Sequence, residues 1–414
     1  MPHRRALLFI FITILIDSIG FGIILPVLPK LIMQVSDADL SQAARYGGWL
    51  YFVYAIAQFF CAPVIGNLSD RFGRRPVLLL ALFALGADYI VMGIAPALAW
   101  LFAGRLVAGI AGASYTPAYA YIADITPPEK RAQSFGFVSA AFGLGFVLGP
   151  AIGGLLGSLG PRMPFFVAAG LALLNATFGL FALPESLPLE RRRAFEWSRA
   201  NPFGTLMQLR KRPVVVGLAG VMFLWVLGHQ VLPSTWAFYT MLRFGWSEAA
   251  VGLSLAAAGI VMAISQGGLT KVLVPALGGE QRAALVGLLS GAAVYLVYAL
   301  APYGWVMYIG LVAWGLAAMS WPSLNALMSQ QVPANAQGEL QGGLASLSSL
   351  AAVLGPLLMT QLFGTFSDSA GALYFPGAPF VAAALLALAS AIILLRICGE
   401  HSLSLARPDS SAAQ

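Results

Sequence analysis

Residues Thr13 to Pro29 read TILIDSIGFGIILPVLP, an apolar run with one carboxylate, Asp17, in its middle. A helix needs about 20 consecutive apolar residues to cross a bilayer, and the preceding ALLFIFI supplies the remainder. A charge at the centre of such a helix costs at least ~2.5–3.5 kcal/mol on insertion scales, so an ion pair or a water-lined path must offset it. Gly20 lies on the same helical face three residues on, and Gly22 and Pro26 loosen the backbone beyond it. Asp17 therefore stands where another helix or a substrate can come close. The rest of the chain reads as the apparatus that uses it.

Composition places the whole chain in lipid. Of 414 residues, 59% are hydrophobic and 9% are charged, against roughly 25% charged in a soluble protein. This is an all-α polytopic membrane protein, and a large soluble domain is excluded. The net charge of +7 implies no nucleic-acid partner, because membrane proteins hold Lys and Arg on their cytoplasmic side. Two cysteines, Cys61 and Cys398, make no disulfide framework. The N-terminal MPHRR resembles the charged start of a signal peptide. The apolar run behind it is too long, and no small-residue cleavage site precedes Asp17, so it is the first span.

Twelve transmembrane helices fit the chain, each about long enough to cross. The first six fall near 6–29, 46–66, 77–95, 98–120, 133–156 and 164–183; the last six fall near 213–236, 249–269, 283–301, 305–327, 341–364 and 378–397. The longest polar stretch, 184–212, is a central cytoplasmic loop between an N-terminal six-helix half (1–183) and a C-terminal half (213–397), with a tail at 398–414. With the N-terminus inside, cytoplasmic segments hold 18 Lys and Arg, and the opposite side holds four: Lys30, Arg45, Arg162 and Arg243. That bias puts both termini in the cytoplasm of a multi-pass inner (plasma) membrane protein. The loop GNLSDRFGRRPVLL after span two has a degraded counterpart, GGLTKVLVPALGGEQR, after span eight. Two related halves around a central cavity are a transporter plan.

Embedded charges carry the chemistry. Of 16 acidic residues only Asp17 and Asp88 are well inside spans, and Arg105 is the one embedded base. At ~1.5 Å rise per residue, Asp17 lies ~16 Å and Asp88 ~18 Å from the cytoplasmic end, and Arg105 some 20 Å. Arg105 can pair well with only one of the two carboxylates. The other is left to bind and release a proton near neutral pH, a proton-coupling site; the competing reading is a static ion pair that orients helices. His229 can titrate near physiological pH or serve as a neutral hydrogen-bond donor. Gln58, Asn175, Gln230, Gln266 and Asn325 can orient a substrate or bond a neighbouring helix. Trp236, Met262, Trp314 and Trp321 are flat or soft groups suited to lining a substrate cavity.

Two further groups concern conformation. In the loop after span two, Asp70 with Arg71, Arg74 and Arg75, between Gly66 and Gly73, can lock helix ends together as a latch. Gly145, Gly149, Gly153 and Gly157 recur every four residues in span five, with Pro150 interrupting, and suit close helix packing, either static or sliding.

Together these residues resemble the major facilitator superfamily, and within it the twelve-span tetracycline-efflux family. The resemblance rests on Asp17-Ser18-Ile19-Gly20-Phe21-Gly22 with Pro26 to Pro29, and on Gly66 to Leu79. It is extended by Asp88-Tyr89, Gly104-Arg105-Leu106, Asp124 with Glu129-Lys130-Arg131, Gly149-Pro150, Leu183-Pro184-Glu185-Ser186 and Gln337 to Gly342. It implies proton-coupled exchange for a tetracycline-type drug carried as a divalent-metal chelate, with Asp124 joining the latch. The cation would then travel with the substrate; the protein itself is expected to use no metal or cofactor. The family's eighth-helix histidine falls near Met262 and its ninth-helix aspartate near Gly291, so neither group is present here, although Gln266 is.

The reading is a monomeric, proton-coupled exporter of a small amphipathic drug-like substrate, working by alternating access. The alternative is a transporter of the same fold that moves a metabolite, siderophore or sugar, as exporter or importer. No nucleophile–base pair or metal cluster in the spans suggests an enzyme.

Overall fold

The computed structural model describes residues 2–113, 115–127, 130–197, 213–333, 336–371 and 373–405. Glu129, Lys211, Arg212 and the end of the tail lie outside the described residues. Among those described, every regular element is helical, and twelve helices or helix pairs are long and apolar enough to span a membrane. They are Leu7–Ile24, Leu40–Phe72, Arg74–Ile94, Leu98–Ile125, Gln133–Gly157, Met163–Ala182, Val214–Phe244, Glu248–Ala276, Glu280–Leu300, Gly304–Gln330, Gln337–Phe366 and Ala378–Cys398, numbered one to twelve. The end carrying the N-terminus is called inner and the opposite end outer. Several helices run past the apolar stretch because polar ends continue the turn. Span two begins where Asp39 accepts a 2.7 Å hydrogen bond from the Gln42 amide, and ends at Gly73, whose φ of 104° closes it.

Every third span is broken. Helix Pro2–Ile24 stops one residue before Leu25-Pro26, and a short helix, Leu28–Ser36, resumes with Pro29 in its first turn. Span four divides into Leu98–Gly112 and Tyr115–Ile125, span seven into Pro213–His229 and Val231–Phe244, and span ten into Gly304–Ala317 and Ser320–Gln330. In each, a proline (Pro117, Pro233, Pro322) occupies the first turn of the second piece, where its missing N–H breaks no bond within that piece. The same break at spans one, four, seven and ten marks four three-helix repeats, a finer periodicity than the two halves read from the loops. Span eight has a π-helical turn at Ser265–Leu269, pinned by the Ser265 hydroxyl on the Gly315 carbonyl.

Contacts gather the chain into two units. The first holds residues 1–202 with 232–260 and 356–376, and thus the outer ends of spans seven, eight and eleven as well as the first six spans. Its interior joins Phe9, Ile10 and Ile14 of span one to Leu78 and Leu82 of span three, Tyr121 and Ile122 of span four, and Val138 and Ala141 of span five. Lipid provides little hydrophobic drive between helices, so close backbone packing does the work. Gly145, Gly149 and Gly153 lie against span one: a Cβ at Gly149 would come within 2.9 Å of the Gly22 Cα. This contact is internal to the first six spans. The glycines of span five that meet a span from the chain's second half are Gly154 and Gly157, which touch span eight, where a Cβ on Gly252 would lie 2.9 Å from the Gly154 Cα.

The second unit holds residues 203–231, 261–355 and 377–414. Spans seven and nine pack on span twelve, where the Ser390 hydroxyl donates to the Val221 carbonyl at 3.2 Å.

Candidate functional site

Span three delivers Asp88 and span four delivers Arg105, both more than nine-tenths buried, and Arg105 Nη2 donates to Asp88 Oδ2 at 2.9 Å. The glycine before Arg105 is required by this contact. A Cβ at Gly104 would fall 2.5 Å from Asp88 Oδ1 and 3.0 Å from Met92 Sδ. The guanidinium also lies over the Tyr54 ring, 5.8 Å from its centroid, which adds a cation–π contact. Asp17 has no such partner: its Oδ1 is buried and accepts no hydrogen bond from the protein. Tyr89, next to Asp88, lies on span one at Gly20, where a Cβ would come within 2.9 Å of its Cζ. Tyr89 thus fills the face at Gly20, one turn from Asp17. The two carboxylates have unlike surroundings, one in an ion pair and one alone.

The loop after span two forms a brace at the inner end. Arg74 Nη1 reaches Asp70 Oδ1 at 2.5 Å and Ser69 Oγ at 2.6 Å, and its Nε reaches Asp124 Oδ2 at 3.3 Å. Sequence reasoning missed the centre of this network, Glu185. Its carboxylate accepts from the Arg74 amide at 2.8 Å and the Arg75 amide at 3.2 Å, so it caps span three from across the loop. The same group accepts from the Ser186 and Leu187 amides, and Ser186 Oγ donates to Asp124. The first stretch of the central loop is tied down as well, by Asn67 on the Glu196 carbonyl at 2.6 Å and the Arg193 amide on the Asp70 carbonyl at 3.1 Å. Among the described residues, every partner of Asp70 and Arg74 lies in the first six spans or the loop behind them. Gly66 faces Thr116, Gly73 leaves room for the Glu185 carboxylate, and Arg75 donates to the Leu180 carbonyl. Arg71 stands apart over the Phe72 ring. The signal available was an acid directly after a span end, in Leu-Pro-Glu-Ser.

The polar residues picked from the spans divide by role. Gln58 donates to the Gly112 carbonyl at 3.1 Å and braces span two on span four. Asn175 donates to Thr13 Oγ1 at 3.1 Å and ties span six to span one. Trp236 is 1% exposed and donates to Ser254 Oγ at 2.9 Å, so it is interior packing rather than a cavity wall. In the second unit Met262, Gln266 and Trp321 remain exposed. Gln230 sits at the break in span seven against Gly355, and Asn325 pairs with Gln341.

His229 belongs to a ring cluster. Its ring is 5.3 Å from Trp314 at 11° between planes, Trp314 is 5.6 Å from Trp225 at 13°, and Tyr295 leans on Trp314 at 5.0 Å. Two polar atoms in this cluster, His229 Nδ1 and the Tyr295 hydroxyl, are buried without a protein partner. Trp225 and Tyr295 were missed in the sequence, where each is one apolar residue among many. The indole of Trp225 takes the space beside Gly291: a Cβ there would meet its Cη2 at 2.5 Å and its Cζ3 at 2.7 Å.

The comparisons agree with this architecture. Residues 10–356 match the family described as Major Facilitator Superfamily. The chain is 41% identical to the tetracycline resistance protein, class C, of Escherichia coli, over 89% of this chain and 92% of that one. It is 39% identical to the class G protein of Vibrio anguillarum, over 86% and 89%. Among solved structures, the human organic anion transporter MFSD10 (TETRAN) is similar with a TM-score of 0.68 and 28% identity, covering 95% of this chain and all of that one. The chain belongs to the major facilitator superfamily, in the branch whose curated members include the tetracycline resistance proteins.

Proposed function

We propose that the protein is a proton-coupled antiporter that exports a small amphipathic compound from a cell whose cytoplasm faces both termini. The observation that carries this reading is the inequality of the two carboxylates. Asp88 is committed to Arg105, whereas Asp17, with its Oδ1 buried one turn from the Tyr89 ring at Gly20, has no cation paired with it among the described residues. A buried carboxylate with no cation beside it is the natural seat for a transferable proton. The Asp88–Arg105 pair, joining spans three and four, holds that seat in place.

The relatives' names point to tetracyclines, which that family carries with a divalent cation. The second unit supports a shift within this class. Met262 and Gly291 bring no charge, and Trp225 fills the space at Gly291. A metal chelate favours acidic oxygen ligands, whereas rings favour a flat, lipophilic compound. The substrate is therefore an aromatic amphiphile whose transport depends weakly on divalent cations. Transport in everted vesicles under an imposed pH gradient, over a compound panel that includes tetracyclines with and without Mg²⁺, tests both points. The reading expects pH-driven uptake that varies little with Mg²⁺; uptake indifferent to the gradient would overturn it.

A further inference from the structure

The outer ends of spans seven, eight and eleven are closed against spans one, two and five, and the contacts are of two kinds. Most are neutral. Arg45 Nη2 donates to the Gly364 carbonyl at 3.1 Å, Gln361 Nε2 to the Arg45 carbonyl at 3.1 Å, and Ser367 Oγ to Ser41 Oγ at 2.9 Å. Tyr51 reaches the Pro233 carbonyl at 3.4 Å. At Gly154 and Gly252 the seam between spans five and eight is backbone on backbone, while the Val147 side chain fits into the space at Gly259. Where small residues bring backbones together, few side chains have to disengage for the seam to part. Among the described residues, one ion pair joins these elements: Lys30 Nζ to Glu248 Oε1 at 2.6 Å.

The two partners are unequal. Lys30 stands on the short helix Leu28–Ser36, with half of its side chain exposed. A cavity of about 640 Å³ opens beside it, lined among others by Met33, Gln34, Trp246 and Ser247. Lys30 can turn into water at little cost. Glu248 is 5% exposed, the first residue of helix Glu248–Ile264, and it lies over Gly157, where a Cβ would come within 3.1 Å of its own. Separating the pair strands a nearly buried carboxylate, which is expensive, although the helix N-terminus on which it sits eases the charge.

We propose that Lys30 and Glu248 are gate-positioning residues: their ion pair sets how firmly the outer end closes, and substrate release requires it to part. The proposal rests on the reading of the chain as an alternating-access transporter. It assigns the second half an acidic group with a conformational task, at the outer mouth rather than at mid-membrane. The glycine seam allows the movement and the ion pair decides its equilibrium.

A buried reporter tests this directly. Thr360 on span eleven is fully buried against Gly48 of span two, so Thr360→Cys places a thiol that reacts from outside only when the gate opens. The background carries Cys61→Ser and Cys398→Ser, and a membrane-impermeant maleimide is applied to intact cells. Lys30→Gln, a change at a half-exposed site that should not disturb folding, is expected to raise the labelling rate about fivefold or more, within the usual range of conformational couplings. Glu248→Gln should do the same. The exchange Lys30→Glu with Glu248→Lys should bring labelling back toward the original rate, which a merely structural role would not do. In transport, Lys30→Gln should alter kcat rather than KM. Labelling unchanged in both single variants, or unaffected by the charge exchange, overturns the proposal. The labelling pattern is read without any flux, so a failure of proton coupling and a failure of the gate are told apart.

Discussion

The two units answer one problem, how to use the middle of a membrane helix, with opposite chemistry. In the first, spans three and four meet through a carboxylate and a guanidinium, with a lone carboxylate on span one. In the second, spans seven, nine and ten meet through stacked rings, and the space at Gly291 is taken by an indole. Charge in lipid is costly and is retained where it moves an ion, while ring faces bury readily, the cost here being confined to His229 Nδ1 and the Tyr295 hydroxyl, which are buried without a protein partner. On the proposed function the first unit handles the proton; in the second, Trp225, Trp314 and Tyr295 of the ring cluster are buried as Trp236 is, and Met262 and Trp321 are exposed groups left to meet a substrate.

The comparison is broken most severely at Arg105. Arg105→Ala leaves Asp88 nearly buried with no cation, which should cost ~3–5 kcal/mol of stability and abolish transport. Adding Asp88→Asn should recover much of the melting temperature in detergent, without transport. If the double variant melts lower than the single one, the pair is not the source of the strain.

The next effect is in the second unit. Gly291→Asp alone drives a side chain into Trp225 and should destabilise by about 1–3 kcal/mol through overpacking. Combined with Trp225→Val, the carboxylate has room, and Mg²⁺-dependent tetracycline transport should rise above that of the unmodified protein. Melting curves and vesicle uptake check both halves; a gain of tetracycline transport from Gly291→Asp alone would show that Trp225 does not hold that space.

A smaller effect is expected at the inner brace. Glu185→Gln weakens the cap on span three by about 1 kcal/mol, keeping its hydrogen-bonding shape but losing its charge at a helix N-terminus. Transport should slow with unchanged substrate affinity, and Asp70→Ala should act in the same direction. The smallest effect is predicted for His229→Phe. It preserves the ring stack with Trp314, so the pH dependence of transport should stay as it is if the proton is handled in the first unit. A displaced pH profile would make His229 part of the coupling.

The sequence made the first unit legible because charge in an apolar span is conspicuous. Asp17, Asp88 and Arg105 could be placed at one depth by counting residues alone, and the pairing of Arg105 with a single carboxylate followed from its having two candidates. The loop around Asp70 was legible from its charges and glycines. Glu185 was not, because its cap spans more than a hundred residues of chain. Trp225 was hidden for the opposite reason: an indole among apolar residues carries no signal until its neighbour is known to be a glycine. The stripe of glycines in span five was visible as a spacing. Which helix each glycine faces is a matter of rotation about the axis, and Gly154, off the four-residue register, is one of the two that meet span eight.

The most direct test separates coupling from movement at Asp17. In proteoliposomes, Asp17→Asn should eliminate accumulation driven by a pH gradient while leaving substrate-for-substrate exchange across the membrane, because the loaded carrier can still alternate. Asp17→Asn vesicles that accumulate substrate against its gradient as the unmodified protein does would contradict the assignment of the proton to Asp17.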